Sequence, residues 1–508
     1  MQGTRQPLQK MKFETYAILF LSFVLAFVLR VIIINEYGFS EDEVRKTLAA
    51  RGYIKLDFSG NPSQPSLNKL AMTFSILILG ESEFAVRLPN AIAGALTVFP
   101  IYFLGKELYN DGTGLFASFL WAVNIPAISF STIGKEDALL TLFWTWAVYF
   151  YTLAREDPQY FRYCGICVGL SAASKFTTGL LVVLLLILYF LDRRQCKNLP
   201  SVKETALLSI PLGLLVFIIA SFPLFLPATF VKTLAWFSPT KVPEHTGYYM
   251  MGQMFPIRPP YYLLLHIFLK NSLIFVIILI IAVIFTIKDR FSSDRILLIW
   301  VAIILGFFSF FTFGYARYSL AAIPALMLLT VQGIYRFLQW LGERVKKFGQ
   351  KSRFNVLQCT STLIVISICL HSLLVGAAVS PYYRMYVNEL GGGLDKAGYY
   401  FPHDSVYDYY LREAVFYINE QVPQGSVVAT SKPGVGEYYG RQDLKFVYVR
   451  NLPADIDQWD KYNVSYAIIQ VSMTYYENIQ QIENLQATLT PVRVFKIFQN
   501  EVVEVYRL

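Results

Sequence analysis

The chain has 508 residues, of which 55% are hydrophobic and only 16% are charged, and its formal net charge is +9. Soluble domains carry roughly 25% charged residues, so the composition excludes an ordinary soluble protein. The positive charge is no signal of nucleic-acid binding either, because the basic residues of a membrane protein must first be assigned to loops on one side of the bilayer.

Long apolar runs recur along the chain, and a run of about 18 or more apolar residues can span a bilayer. The sequence therefore predicts a polytopic α-helical membrane protein with about 11 transmembrane helices. We expect the fifth and sixth to form a shallow hairpin, because they are short and closely joined. The predicted spans lie near residues 16–34, 87–104, 115–131, 138–153, 163–175, 177–191, 205–226, 271–287, 296–313, 319–338 and 356–378.

Basic residues concentrate in alternate short loops, which the positive-inside rule assigns to the cytoplasm. These loops include Arg193, Arg194 and Lys346. The rule predicts a multi-pass protein of the cell membrane with a cytoplasmic N-terminus. The first loop (35–86), the large loop (227–270) and everything after Pro381 then lie on the extracytoplasmic side.

Within the first loop, a short helical pattern opens with Ser40, Glu41, Asp42 and Glu43. A serine followed three residues later by a glutamate is a capping-box pattern, and carboxylates suit the positive end of a helix. Carboxylates beside a membrane are also costly unless they are solvated or used, which marks a candidate site. We take Asp42 as the candidate catalytic residue, with Glu43 beside it.

The rest of the first loop predicts two short interfacial helices within residues 40–86. Prolines beside Gln64 fix a rigid turn between them, which is either purely structural or presents the next helix start to an anion. We expect the basic residues of both helices to face lipid headgroups. These residues are Arg45, Lys46, Arg51 and Lys69.

A second charged turn, Lys135-Glu136-Asp137, joins two predicted spans on the same side as Asp42. It is either a solvated connection or a pair of carboxylates that binds substrate hydroxyls or a metal.

Three further cations, Lys175, Arg258 and Arg317, belong to the same side of the membrane. Their side chains either extend to lipid headgroups or grip a phosphate.

From Pro381 onward the composition is that of a soluble domain, and strand and helix patterns alternate. We predict a transmembrane domain over 1–380 and an extracytoplasmic small α/β domain over 381–508. The three glycines at 391–393 lack the strand–helix context of a phosphate loop, and no dinucleotide fingerprint is present. Predicted strands are 425–430, 445–449, 465–471, 491–498 and 501–507, and predicted helices are 406–421 and 473–487.

Several motifs, in their order and sidedness, resemble those of the dolichyl-phosphate-mannose protein mannosyltransferase superfamily, which includes the lipid A aminoarabinose transferases and has the GT-C fold. One element departs from the pattern: Gln64 stands where the family often has His or Lys, and Ser66 replaces the second proline of its Pro-Pro-Leu element. The similar motifs are Asp42-Glu43, Gln64-Pro65-Ser66-Leu67, residues 134–140, residues 174–179, Ala316-Arg317-Tyr318-Ser319-Leu320 and the segment 381–393.

The resemblance implies an enzyme that moves a sugar from a polyprenyl-phosphate donor to an acceptor hydroxyl on the extracytoplasmic side. It implies inversion, with Asp42 as general base and with Arg317, Lys175 and more weakly Arg258 near the donor phosphate. The acceptor stays open between protein, lipid and glycan, a divalent metal is possible, and no nucleic-acid partner is expected. A transporter or sensor with an external solute-binding domain is the alternative, but the chain lacks the internal repeats typical of transporters.

Overall fold

The computed structural model describes residues 13–194, 199–238, 247–289, 292–310, 315–344 and 350–508. The predicted cytoplasmic residues 1–12 and positions 239–246 of the large loop lie outside the described residues.

Most of the described chain is helical. Short 3-10 helices at 176–178, 222–225, 316–322, 383–385, 389–391, 393–396, 449–451 and 456–462 connect the longer elements. The α-helices are α1 (Phe13–Val31), α2 (Glu41–Ile54), α3 (Leu67–Leu79), α4 (Glu83–Leu96), α5 (Val98–Leu108), α6 (Asp111–Val123), α7 (Ile125–Ser131), α8 (Asp137–Ala154), α9 (Tyr160–Ser174), α10 (Gly179–Arg193), α11 (Val202–Ala220), α12 (Pro227–Trp236), α13 (Tyr262–Lys270), α14 (Leu273–Asp289), α15 (Ser292–Phe310), α16 (Ile323–Arg344), α17 (Gln350–Val379), α18 (Pro402–Ser405), α19 (Leu411–Gln421), α20 (Pro433–Tyr439) and α21 (Ile479–Thr488).

Within the described residues, 7 helices are long and apolar enough to cross a membrane, or up to 8 if one bent pair counts as a span. The polytopic helical fold class is confirmed, but this count is lower than the one predicted. The bent pair is α6 and α7, which meet at 60° where 115–131 was predicted as one span. Helices α8, α9 and α14 occupy three other predicted spans and are shorter or less apolar than the criterion requires.

Helix α9, the first helix of the predicted hairpin, packs unusually closely against α11. A Cβ added to Gly165 would lie 2.2 Å from the carbonyl oxygen of Ser209 on α11, and one added to Gly169 would lie 2.3 Å from that of Gly213. Glycines four residues apart allow such backbone contact between membrane helices. Helix α9 ends at Ser174, and Lys175 follows in an extended conformation before α10 begins.

The C-terminal region contains a five-stranded sheet. Its strand order is β4-β3-β5-β7-β6, in which β3 pairs in parallel with β4 and β5, while β7 pairs antiparallel with β5 and β6. All five predicted strand positions carry a strand, so the small C-terminal sheet is confirmed. The strands are β1 (Tyr248–Met250) and β2 (Gln253–Phe255) in the large loop, then β3 (Val427–Thr430), β4 (Lys445–Tyr448), β5 (Val464–Gln470), β6 (Arg493–Ile497) and β7 (Asn500–Arg507).

One apolar cluster joins the first loop to the C-terminal region. Val44 of α2 and Met72 of α3 belong to the same buried cluster as Leu411 and Val415 of α19. The sheet-bearing region therefore packs on the helices of the first loop and is not separated from them by solvent.

The two helices of the first loop are present as predicted, but two of their lysines point the other way. Lys46 is 4% exposed and pairs with Glu136, while Lys69 is 2% exposed and donates to the carbonyl oxygens of Asn61 and Gln64 at 2.5 and 3.1 Å. The expectation that these lysines face headgroups is wrong, because carboxylate and carbonyl partners inside the protein hold them.

Candidate active site

The start of α2 carries the three carboxylates of the first loop. Ser40 caps the helix: its hydroxyl accepts from the backbone N–H of Glu43, and the Glu43 side chain accepts from the backbone N–H of Ser40, so the predicted capping box is confirmed. From this shared position Glu41 faces the C-terminal region, while Asp42 and Glu43 face the turn at 132–136.

Glu43 is enclosed by hydrogen-bond donors. Its carboxylate accepts from the Arg87 guanidinium at 2.7 and 3.0 Å and from the backbone N–H of Gly134 at 2.7 Å. Burial raises the pKa of Glu43, but Arg87 outweighs burial and lowers it to about 2. The side chain is 1% exposed, an arrangement that suits tying α2, α4 and the 132–136 turn together.

Asp42 is the open carboxylate of the group. Its side chain is 44% exposed, whereas those of Glu136 and Asp137 are 5% and 2% exposed. Its Oδ2 accepts from the Lys135 ammonium and, at 3.3 Å, from the Tyr407 hydroxyl. Burial raises the Asp42 pKa, but the charges of Lys135 and Arg317 outweigh it and hold that pKa well below its usual range. Asp42 is therefore ionised.

The 135–137 turn is a buried hub of ion pairs. Lys135 pairs with Asp42, Glu136 pairs with Lys46, and Asp137 accepts from Lys175 at 2.6 Å. Each of these side chains except Asp42 is at most 6% exposed. The alternative of a solvated turn is therefore wrong.

Arg317 reaches the same hub from the segment before α16. Its Nε lies 3.5 Å from a carboxylate oxygen of Asp137, and its guanidinium carbon lies 4.1 Å from the ring centroid of Tyr315. Asp137 thus serves both Arg317 and Lys175, and the lysine also lies 3.7 Å from the ring centroid of Tyr318. The alternative of snorkelling is wrong for both cations, because they are 8% and 4% exposed and face inward.

Cations outnumber carboxylates in this hub. The carboxylates of Asp42, Glu136 and Asp137 face a larger set of cations, which leaves positive charge available to a further anion. Those cations are Lys46, Lys135, Lys175 and Arg317.

Two residues predicted for the site lie outside this hub. Gln64 occupies the turn before α3, where its carbonyl oxygen accepts from Lys69. Arg258 is 5% exposed, donates to the carbonyl oxygen of Phe308 and lies 5.3 Å from the ring centroid of Tyr262. The Phe308 ring in turn packs 4.7 Å from that of Tyr318.

A cavity of about 420 Å³ opens beside Asp42. It lies between α2, the 57–63 turn and the end of α12, and it presents both polar groups and an indole ring. Its lining includes Asp42, Arg45, Asp57, Asn61, Ser63 and Trp236.

Among the residues that the structure describes, no group of three or more His, Cys, Asp or Glu side chains could hold a metal ion. The carboxylates of the hub each have a cation as their partner. The side chains present therefore do not fit a metal site made of protein ligands alone.

Several residues at the site could not be found from the sequence. Lys432 pairs with Glu41 at 3.2 Å, and Asp408 accepts from the backbone N–H of Glu41 at 2.9 Å. They come from the C-terminal region, where no motif distinguishes them. Arg87 had a signal, since it is a charge at the end of a predicted span, and such charges often mark function or a specific partner.

Comparisons with known proteins agree with this architecture. Residues 63–222 match the family model described as dolichyl-phosphate-mannose-protein mannosyltransferase. The structure is similar to that of apo ArnT from Cupriavidus metallidurans, with a TM-score of 0.55 and 13% identity over 97% of each chain. It is also similar to ArnT bound to undecaprenyl phosphate, with a TM-score of 0.51 and 14% identity over 97% of this chain and 98% of that one.

The oligosaccharyltransferase of Archaeoglobus fulgidus is a further similar structure, with a TM-score of 0.55 and 12% identity over 91% of this chain and 70% of that chain. No curated protein sequence matches the chain significantly.

These matches define the fold: the chain is a multi-pass helical membrane protein with the GT-C fold of these glycosyltransferases, and its residues 63–222 carry the family match. Part of the chain is similar in sequence to the mannosyltransferases and the fold is similar to that of ArnT, so the resemblance predicted from the motifs is confirmed.

Proposed function

We propose that the protein transfers a sugar from a polyprenyl-phosphate donor to an acceptor hydroxyl on the extracytoplasmic face, with inversion at the anomeric carbon. One observation carries the proposal. An ionised, half-exposed carboxylate, Asp42, stands between an open cavity and a buried group with more cations than carboxylates.

Asp42 is the general base of this proposal. A base must come within hydrogen-bond reach of the hydroxyl that it deprotonates, and Asp42 lines the cavity from which an acceptor can approach. A single open carboxylate suits one direct displacement, which inverts the anomeric centre, as in inverting glycosidases where water is the acceptor.

The cations of the hub take the donor phosphate. Negative charge develops on this phosphate as the sugar leaves, and fixed cations stabilise it. Arg317 can make a forked contact with phosphate oxygens, while Lys175 and Lys135 supply point charges. A small cavity lined by Lys175 and Tyr318 continues among the apolar side chains of Leu140, Trp144 and Ile304. This cavity of about 10 Å³ is too small for an isoprene unit, so we propose that the polyprenyl chain leaves the phosphate toward these apolar side chains and separates them as it binds.

In this proposal Lys135 controls the basicity of Asp42. Without donor its ammonium pairs with Asp42, which keeps the Asp42 pKa low and the carboxylate a weak base. A phosphate that draws Lys135 away restores basicity to Asp42. The base is then strongest when the donor is bound, which limits unproductive proton transfer in the free enzyme.

The acceptor is a protein, lipid or glycan hydroxyl that fits the cavity beside Asp42. The ArnT structure bound to undecaprenyl phosphate and the oligosaccharyltransferase structure tethered to an acceptor peptide supply both precedents: a polyprenyl phosphate in one relative and a peptide acceptor in another.

A donor assay tests the proposal. Purified protein in detergent is offered a panel of undecaprenyl-phosphate sugars and, in parallel, the matching nucleotide sugars. We expect release of undecaprenyl phosphate from at least one lipid-linked sugar, with the sugar passing to water or to the hydroxyl of an added peptide, lipid or glycan acceptor, and no turnover of any nucleotide sugar. Nuclear magnetic resonance of the product should show an inverted anomeric configuration. Efficient transfer directly from a nucleotide sugar contradicts the proposal.

Orientation needs a separate test. A reporter enzyme fused after Leu508 that works only outside the cytoplasm should be active, while one that works only in the cytoplasm should be silent. The reverse pattern places the site on the cytoplasmic face and contradicts the proposed sidedness.

A further inference from the structure

A turn of the C-terminal region lies between the two halves of the site. Residues 404–410 comprise the last two residues of the short helix α18 and the turn that leads to α19, and we name them the bridging turn. They lie far along the chain from both Asp42 and Arg317, and none of the motifs considered above includes them.

Tyr407, in the middle of the bridging turn, contacts the proposed base. The Tyr407 hydroxyl donates to Oδ2 of Asp42 at 3.3 Å, the same oxygen that accepts from Lys135. The Tyr407 ring lies 5.9 Å from the guanidinium carbon of Arg317 and 4.7 Å from that of Arg384. Tyr407 therefore contacts a carboxylate through its hydroxyl and two cations through its ring face.

Asp404, the first residue of the turn, holds the segment that carries Arg317. A carboxylate oxygen of Asp404 accepts from the backbone N–H of Ala316 at 3.1 Å. The same oxygen accepts from the hydroxyls of Tyr248 at 3.1 Å and of Tyr262. Asp404 is 5% exposed, so this contact fixes the backbone immediately before Arg317.

The backbone of the bridging turn is held in an unusual conformation. Tyr407, Asp408 and Tyr410 have φ angles of 33°, 65° and 62°, in the left-handed region that non-glycine residues rarely adopt. Such conformations persist where the surroundings over-determine them, and they cluster at functional sites. Here Asp408 fixes the turn by accepting from the backbone N–H of Glu41 at the start of α2.

We propose that the bridging turn sets the spacing between the base and the phosphate-binding arginine, with Tyr407 as a positioning residue for Asp42 and Asp404 as a positioning residue for Arg317. The proposal rests on the proposed function, which gives Asp42 and Arg317 their roles. It assigns the C-terminal region a part in the reaction itself.

The role of Tyr407 is tested by a substitution that removes its hydroxyl oxygen. Tyr407→Phe keeps the ring against both arginines and loses the hydroxyl, which bonds Asp42 and also contacts the Ser40 side chain. We expect kcat to fall by roughly tenfold, because hydrogen bonds to charged groups are stronger than neutral ones. KM for the active undecaprenyl-phosphate sugar and the melting temperature should stay unchanged.

The matched control is Tyr410→Phe, which deletes a hydroxyl from the same turn. That hydroxyl accepts from the hydroxyl of Tyr382 at 2.9 Å and does not contact Asp42. Turnover of Tyr410→Phe should equal that of wild type. Equal activity of Tyr407→Phe and wild type overturns the role of Tyr407.

The role of Asp404 is tested by measuring the affinity for undecaprenyl phosphate. Asp404→Ala removes the acceptor for Ala316, so Arg317 loses its position and the Kd for undecaprenyl phosphate should rise by about tenfold. Asp404→Asn keeps one acceptor oxygen and should restore binding to within about threefold of wild type. If Asp404→Ala binds undecaprenyl phosphate as tightly as wild type, this half of the proposal is wrong.

A double variant separates failure of this inference from failure of the proposed function. If Tyr407 acts through Asp42, Tyr407→Phe should have no further effect on the residual activity of Asp42→Asn. Additive losses overturn the inference alone. If Asp42→Asn itself turns over normally, the proposed function fails first, whatever Tyr407→Phe does.

Discussion

Buried ion pairs occur at both ends of the transmembrane helices, and the two sets differ in one respect. At the end opposite Asp42, Asp192 accepts from Arg295 at 2.7 Å and from Tyr151 at 2.9 Å. Nearby, Asp294 pairs with Arg336 and accepts from Tyr109 at 2.5 Å. Both carboxylates are 1% exposed.

At the proposed active site, by contrast, Asp42 is 44% exposed although it too has a cation as its partner. Burying a paired charge links helices but gives a substrate no access. The comparison teaches that the number of ion pairs does not identify a site. An exposed carboxylate beside an excess of buried cations is what distinguishes the proposed active site.

The largest expected effect is on stability at the opposite end. Asp294→Ala leaves the buried guanidinium of Arg336 without its carboxylate, and breaking a buried pair costs about 3–5 kcal/mol. We expect a large drop in melting temperature in detergent, with turnover per folded molecule unchanged. A stable but inactive Asp294→Ala protein contradicts the assignment of this end as structural.

Asp42→Asn should show the opposite profile. Asparagine suits the first turn of a helix but has no basic oxygen, so kcat should fall by about 100-fold or more while the melting temperature stays near that of wild type. Turnover and thermal unfolding are measured on the same purified sample.

Glu43→Gln is the control for Asp42→Asn. Glutamine can keep the capping-box contact with Ser40 but leaves Arg87 without its counter-charge, so stability should fall more than in Asp42→Asn. Activity per folded molecule should fall less. A Glu43→Gln enzyme that is stable and inactive makes Glu43 part of the chemistry.

Arg317 should give a smaller, graded effect. Arg317→Ala should weaken binding of undecaprenyl phosphate by roughly tenfold, and Arg317→Lys should recover only part of the loss because lysine cannot make the forked contact. Binding is measured by titration with undecaprenyl phosphate. Equal affinity of all three forms removes the phosphate role of Arg317.

The smallest effect is expected from an exposed ion pair. Arg51 pairs with Glu81 in the first loop, and their side chains are 46% and 22% exposed. Pairs of this kind contribute about 0.2–1 kcal/mol, so Arg51→Ala should change the unfolding free energy by no more than that. A loss as large as that of Asp294→Ala would show that exposure does not separate the two kinds of pair.

The sequence was sufficient to predict the helical membrane class, the five C-terminal strands and the placement at the same helix ends of Asp42, Lys135, Asp137, Lys175 and Arg317. It could not show which partner a basic side chain takes. The sequence around Lys46 is equally compatible with a contact to a lipid phosphate and with a contact to a carboxylate 90 residues away. Only the three-dimensional structure shows that its partner is Glu136.

Tyr407 shows a stricter limit. It is one of 34 tyrosines, and nothing in its neighbours distinguishes it. Its contact with Asp42 depends on three features of the tertiary structure: the packing of the C-terminal region on the first loop, the packing of α19 on the sheet, and the turn before α19. Each is a tertiary event without a local signal.

The contact between Tyr407 and Asp42 joins residues that are 365 positions apart in the chain. Translation proceeds at about 5–20 residues per second, so roughly 20–70 s pass between synthesis of the carboxylate and synthesis of the tyrosine. During that interval the nascent protein already has its first spans in a membrane but lacks the turn that completes the site. On the proposed function, a partly synthesised chain lacks the turn that positions Asp42, so full catalytic activity is reached only after this turn has been made and packed on the first loop.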